Sequence, residues 1–120
     1  MSIRAQEQFI CPIDVTLSVM SGKWKPLILF HLKSAPQRFS MLQHKIPGIS
    51  HKVLTQQLRA LESNGLIGRA RIQNEQTEAY ELTAFGRTLR PSLAALANWG
   101  QRHHAELGVR LVPVAAAVPT

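Results

Sequence analysis

A chain of 120 residues with 45% hydrophobic content is sized for a single domain with its own core. It has no apolar run near the roughly 18 residues that a membrane helix needs, no charged n-region leading into an h-region, and one cysteine, so a membrane span, a signal peptide and an internal disulfide are excluded and the cytoplasm is expected. Fourteen Lys and Arg against 7 Asp and Glu give a net charge of +7, which points to a polyanionic partner, nucleic acid first.

Proline suits the first helical position and glycine the residue past the end. Pro12 and Gly22, with Ile13, Leu17 and Met20 as an apolar stripe, therefore predict a first helix over about 12 to 21. Trp24, Leu27, Ile28 and Leu32 recur at helical spacing, widened by Leu29 and Phe30, and predict a buried helix stopped at Ser34-Ala35-Pro36. Pro26 fits only in its first turn. "FSMLQHKI" predicts a short helix with Ser40 as N-cap and Leu42 and Ile46 inward.

After the turn Pro47-Gly48-Ile49, Ser50 caps the next helix and Gly65 ends it after Asn64. Leu54, Leu58 and Leu61 at i, i+4 and i+7 make one face core. His51, Thr55 and Arg59 form an opposite row, with Lys52 and Gln56 beside it. Two short helices joined by a tight glycine turn are the pattern of a helix-turn-helix. "LIGRARI" and "EAYEL" alternate on either side of "QNEQT" and predict a β-hairpin. Arg69 and Arg71 share one face of its first strand.

Thr83 caps a last helix along which Leu89, Leu93, Leu96, Trp99 and His103 share a side, with a kink or break expected at Pro91. The domain boundaries expected are an N-terminal arm over 1–11, a winged helix-turn-helix with terminal dimerisation helices over 12–104, and a partly mobile tail over 105–120. The fold class expected is mainly α with a small β-hairpin, an α+β winged helix-turn-helix. Residues 36 to 72 carry +5 of the net charge, residues 1 to 35 carry +2, and the rest cancels. The positive field thus sits on the helix-turn-helix and the first wing strand.

Read as chemistry, these features favour duplex DNA. The major groove admits one helix; Gln can pair bidentately with adenine, Arg or Lys with guanine, and Thr can touch a thymine methyl. Ser50, His51, Lys52, Thr55 and Gln56 are candidates for base readout, and Arg59 for a base or a phosphate. Arg38 and Lys45 at the flank, with Arg69, Arg71 and Asn74 on the wing, are candidates for backbone or minor-groove contacts, which position a protein without reading sequence. The plain alternative for the row is a solvated helix face. His44 and His51 offer a route to pH-dependent affinity. A winged helix can instead bind proteins, so a protein-interaction module without direct DNA binding is the second reading. An enzyme is not expected: there is no glycine-rich phosphate loop, no nucleophile elbow, and Asp14 is the only aspartate. No cofactor and no metal are expected, because His103 and His104 are adjacent on a helix and point apart, and no HExxH occurs.

"CPIDVTLSVMSGKWKPLILFHL", "RFSMLQHKIPGISHKVLTQQLRALESNGLIGR" and "YELTAFGRTLRPSLAALANWG", in that order, resemble the HxlR-type winged-helix transcription regulators over about residues 9 to 103. The most specific parts are Cys11-Pro12, Gly22-Lys23-Trp24, Pro47-Gly48-Ile49-Ser50 with Leu54-Thr55, and Leu82-Thr83-x-x-Gly86. The resemblance implies homodimers on short palindromic operators, terminal helices forming the dimer, and in some members a sensor of oxidants or electrophiles at a cysteine placed like Cys11. The wing loop is short and less basic than in many members, and the tail after residue 104 matches no part of the pattern.

Surplus apolar surface on the first and last helices independently points to a homodimer. Ile13, Leu17, Leu93, Leu96, Trp99 and His103 are the dimerisation candidates. Trp24 and Trp99 read as core or dimer residues. Cys11 stands at a helix N-terminus, where peptide dipoles favour the thiolate, and is the candidate redox sensor. Its alternative is a small buried hydrophobe. A small-molecule or oxidant effector is a candidate partner.

Overall fold

The computed structural model of the chain describes residues 8–72 and 78–113. The arm before Gln8, the wing loop with Asn74 and the tail beyond Pro113 lie outside the described residues. The elements run α1 (Pro12–Met20), α2 (Trp24–Leu32), β1 (Gln37–Arg38), α3 (Phe39–Lys45), α4 (His51–Ser63), β2 (Ile67–Arg71), β3 (Glu78–Leu82), α5 (Ala84–Arg87) and α6 (Arg90–His103). The sheet is antiparallel with order β1-β3-β2. No helix among the described residues is long and apolar enough to cross a membrane.

Leu54, Leu58 and Leu61 of α4 meet Ile28, Leu29 and Leu32 of α2, Leu42 and Ile46 from the α3 segment, and Leu66, Ile67 and Leu82 of the wing in one core, none more than 2% exposed. Burying side chains of this size stabilises by roughly 1.5–3 kcal/mol each relative to leaving them in water. The inward faces are those set by the helical and alternating periods of the sequence.

Helix ends follow local chemistry. Ser50 Oγ accepts from the Val53 amide at 3.1 Å, which satisfies one of the first-turn donors that a helix leaves open. At the other end Gly65 has φ +76°. There the Gly65 amide donates to Glu62 at 2.9 Å and the Leu66 amide to Leu61 at 3.1 Å, the paired bonds of a Schellman stop, with buried Leu61 and Leu66 as its apolar contact.

Three details differ from the sequence reading. Ser40 does not cap α3: the N-cap is Arg38, whose extended backbone is already paired in the sheet, so the helix begins one residue before Ser40. β1 was not foreseen. The break in the last helix falls at Thr88-Leu89, and Pro91 sits in the first turn of α6, where its missing amide costs nothing.

Candidate nucleic-acid interface

α4 presents the expected polar row. His51, Lys52, Gln56 and Arg59 are exposed and Thr55 is half-buried, while the three leucines behind them are at most 1% exposed. Among the described residues Lys52, Gln56 and Arg59 carry no side-chain partner, so their donors face solvent. Thr55 Oγ1 donates to the His51 carbonyl at 2.8 Å; its oxygen and methyl remain for an outside group. The His51 ring lies 4.6 Å from that of Phe39, tilted by 44°. That contact ties the start of α4 to the start of α3 and limits how far the imidazole can swing. Ser50 is engaged as the N-cap, which leaves its hydroxyl proton free to donate outward.

The flank is built from α3 and β1. Lys45 Nζ donates to Gln37 Oε1 at 3.3 Å, and half-buried Arg38, next in β1, pairs with Ala79 of β3. Lys45 also acts on His31 of α2. Burial first, and then the Lys45 charge, push the His31 imidazole below the ordinary histidine value of 6.5.

Arg69 and Arg71 do lie on one exposed face of β2, but their surroundings differ. Arg69 Nε donates to Glu62 Oε2 at 3.2 Å, and its Nη1 donates to Glu78 Oε2 at 2.8 Å. Its guanidinium also stands 5.4 Å from the centre of the Tyr80 ring. The two carboxylates, Glu78 above Glu62, hold its pKa above the usual arginine range. Arg71 faces Glu78 across the ladder and has no side-chain partner among the described residues. Asn74 lies outside them. Sequence alternation showed which face the arginines share, and nothing in it showed that Glu62 reaches across to the wing.

The wing is fastened at its root. Thr83 Oγ1 donates to the Gly65 carbonyl at 2.6 Å and accepts from the Gly86 amide at 2.9 Å, and the Thr83 amide donates to Leu66 at 3.0 Å. A Cβ at Gly86 would stand 1.9 Å from the Leu66 carbonyl oxygen. Here lies the physical reason for Thr83-x-x-Gly86: the hydroxyl clamps the helix end to the wing, and only glycine lets α5 come this close.

The model of the HxlR-like helix-turn-helix family matches residues 19–107. The chain belongs to the HxlR-like helix-turn-helix family. Among relatives of this HxlR-like chain, the HTH-type transcriptional regulators YdeP and YkvN of Bacillus subtilis are 38% and 40% identical to it over 94 and 95 residues, spanning 78% of this chain in each case and 73% and 80% of theirs. Among solved structures, the redox regulator HypR in its reduced form is 35% identical and superposes with a TM-score of 0.74, covering 82% of this chain and 98% of that one. Cys11 lies ahead of the stretch that the HxlR-like model matches.

Cys11 is exposed in the single chain and is the N-cap residue of α1. Of the dimerisation candidates, Ile13, Leu17, Leu96 and Trp99 are 61%, 49%, 57% and 57% exposed. His103 is half-buried, 5.0 Å from the Trp99 ring, and its Nδ1 is 2.7 Å from Glu106. Leu93 is corrected: it is 2% exposed and belongs to this chain's own core, because the start of α6 lies against α2. Beyond Leu93 the two helices border an apolar groove of about 480 Å³ lined by Leu27, Phe30, Leu96 and Leu111. Among the described residues no three His, Cys, Asp or Glu side chains are grouped to hold a metal ion.

Proposed function

We propose that this HxlR-like chain reads duplex DNA by laying α4 in the major groove. The chain is a DNA-binding transcriptional regulator. The observation that carries the proposal is the division of α4: three leucines sealed in the core and five outward side chains rich in donors. Ser50, His51, Lys52, Thr55 and Gln56, in the first two turns, reach base edges, and Arg59 reaches base or phosphate. Lys45, Arg38 and Arg71 neutralise the flanking backbone. The protein-interaction reading accounts for neither this donor-rich face nor the charge focused around it.

Two copies joined through α1 and α6 present two such helices related by a two-fold axis, and so bind a palindrome. The exposed Ile13, Leu17, Leu96 and Trp99 support this reading. Cys11 supports a further layer, and the likeness to HypR, a redox regulator, points the same way. An oxidant that removes two electrons and two protons from a pair of Cys11 thiols links the subunits by a disulfide, shifts α1 and changes the spacing of the two α4 helices.

Selection of bound sites from random duplex DNA tests the reading. It is expected to return a symmetric site with half-sites about 10 bp apart or a multiple of that. Affinity is expected to fall with salt at a log–log slope of about −0.9 per phosphate neutralised. Asymmetric sequences, or binding indifferent to salt, refute it. Repeating the measurement after a mild oxidant, with wild type and Cys11→Ser, tests sensing; equal affinity in all four cases disposes of it.

A further inference from the structure

We propose that Arg69 is a positioning strut that sets the angle between wing and recognition helix, and that it makes no phosphate contact. This rests on the DNA reading above.

The guanidinium joins three elements. It belongs to β2, donates to Glu62 near the end of α4, and donates to Glu78 on β3. Glu62 is the only acidic residue in α4, and it is turned to the wing. The third contact is the face of Tyr80. Tyr80 is Arg69's direct ladder partner, pairs on its other side with Gln37, and packs against the core. The arginine is therefore seated on a central-strand residue that packs against the core, and reaches from there to the helix.

Charge and geometry both argue against a phosphate at this place. Two carboxylates already sit on the Arg69 guanidinium, so its positive charge is neutralised within the protein and little of it is left to draw a phosphate. A planar guanidinium with fixed donor directions suits a bridge between two acceptors. Each exposed ion pair alone contributes little to stability. A network that orients one rigid element against another acts instead on geometry. Recognition by a winged helix needs α4 in its groove while the wing meets the backbone beside it, so a wing held at the wrong angle loses sequence discrimination before it loses attraction to DNA. Arg71, two residues on and on the same face, is left as the wing cation open to phosphate among the described residues.

The test uses the full chain, the selected operator and a random duplex of equal length. Affinity for both is measured across a salt series for wild type, Arg69→Gln, Arg71→Gln, Glu62→Gln and the Arg69→Gln/Glu62→Gln pair. A thermal melt accompanies each variant. A strut predicts that Arg69→Gln and Glu62→Gln each lower the operator-to-random ratio by about fivefold and leave the salt slope unchanged. The double variant falls no further, because both members act through one network. Arg71→Gln instead lowers affinity for both duplexes and makes the slope shallower by about 0.9.

A phosphate-contacting Arg69 predicts the opposite signs. Arg69→Gln then reproduces the Arg71→Gln slope change, and Glu62→Gln tightens binding to both duplexes; either result overturns the strut. An unchanged ratio in both single variants overturns it too. If Arg69→Gln does not fold, Glu62→Gln decides alone through the sign of its effect. Wild type that binds with no salt dependence overturns the DNA reading along with this one, whereas a salt-dependent wild type with the wrong variant pattern overturns the strut alone.

Discussion

The core beneath α4 and the outer faces of α1 and α6 are built from the same residue types to opposite ends. Under α4 the apolar side chains are sealed: Leu54, Leu58 and Leu61 are at most 1% exposed. On the terminal helices Ile13, Leu17, Leu96 and Trp99 leave about half or more of their surface in water. Exposed apolar side chains of this size are what the proposed two-fold interface would bury. The first region completes itself within one chain, and the second is left open to water. Stability of the single chain should therefore answer to changes in one region, and association to changes in the other.

The largest effect is expected at Gly86. Gly86→Ala places a methyl carbon against the Leu66 carbonyl, a backbone atom that cannot swing aside, and should destabilise by about 3 kcal/mol or more, with lost cooperativity or insoluble protein. A melt within a degree or two of wild type contradicts the close approach. Leu96→Asp comes next. It should weaken self-association at least tenfold by sedimentation, and operator binding with it, because a charge buried in an apolar interface goes unpaired. It should barely shift the melt of dilute monomer. A large loss of monomer stability there erases the contrast between the two regions.

Ser50→Ala should cost about 1 kcal/mol of stability through the lost cap, with the far-UV spectrum retained. The smallest effect concerns His31. Its folded pKa lies below the ordinary 6.5, so the unfolded chain takes up the proton more readily. The stabilisation is complete above that value and is lost as pH falls below it toward the folded pKa. Denaturant midpoints should decline modestly in this window, and less so in His31→Gln. Lys45→Gln, which removes the second cause, should also soften the decline. A midpoint that rises as pH falls reverses the assigned sign.

How much of this was legible in the sequence depended on how local the cause was. Ser50 and Gly65, and Thr83 through the Gly86 amide, act on backbone groups a few residues away, and each marked its helix end. The leucine spacing of α4 alone told inside from outside. Where the cause was distant, the pattern was silent. β1 is two residues long and has no period to read; it exists because β3 offers it an edge. Leu93 shared a helical stripe with Leu96, and only the approach of α6 to α2 separates them. Arg69 resembled Arg71 until Glu62 and Glu78 were seen around it. Charge counted along the chain treats the two alike, whereas in space Arg69 is paired with two carboxylates and Arg71 has no side-chain partner among the described residues.

Because the two strands are stitched together where they leave the helices, at Gly65, Leu66 and Thr83, the end of α4 and the start of α5 are coupled through the backbone and not only through the apolar core.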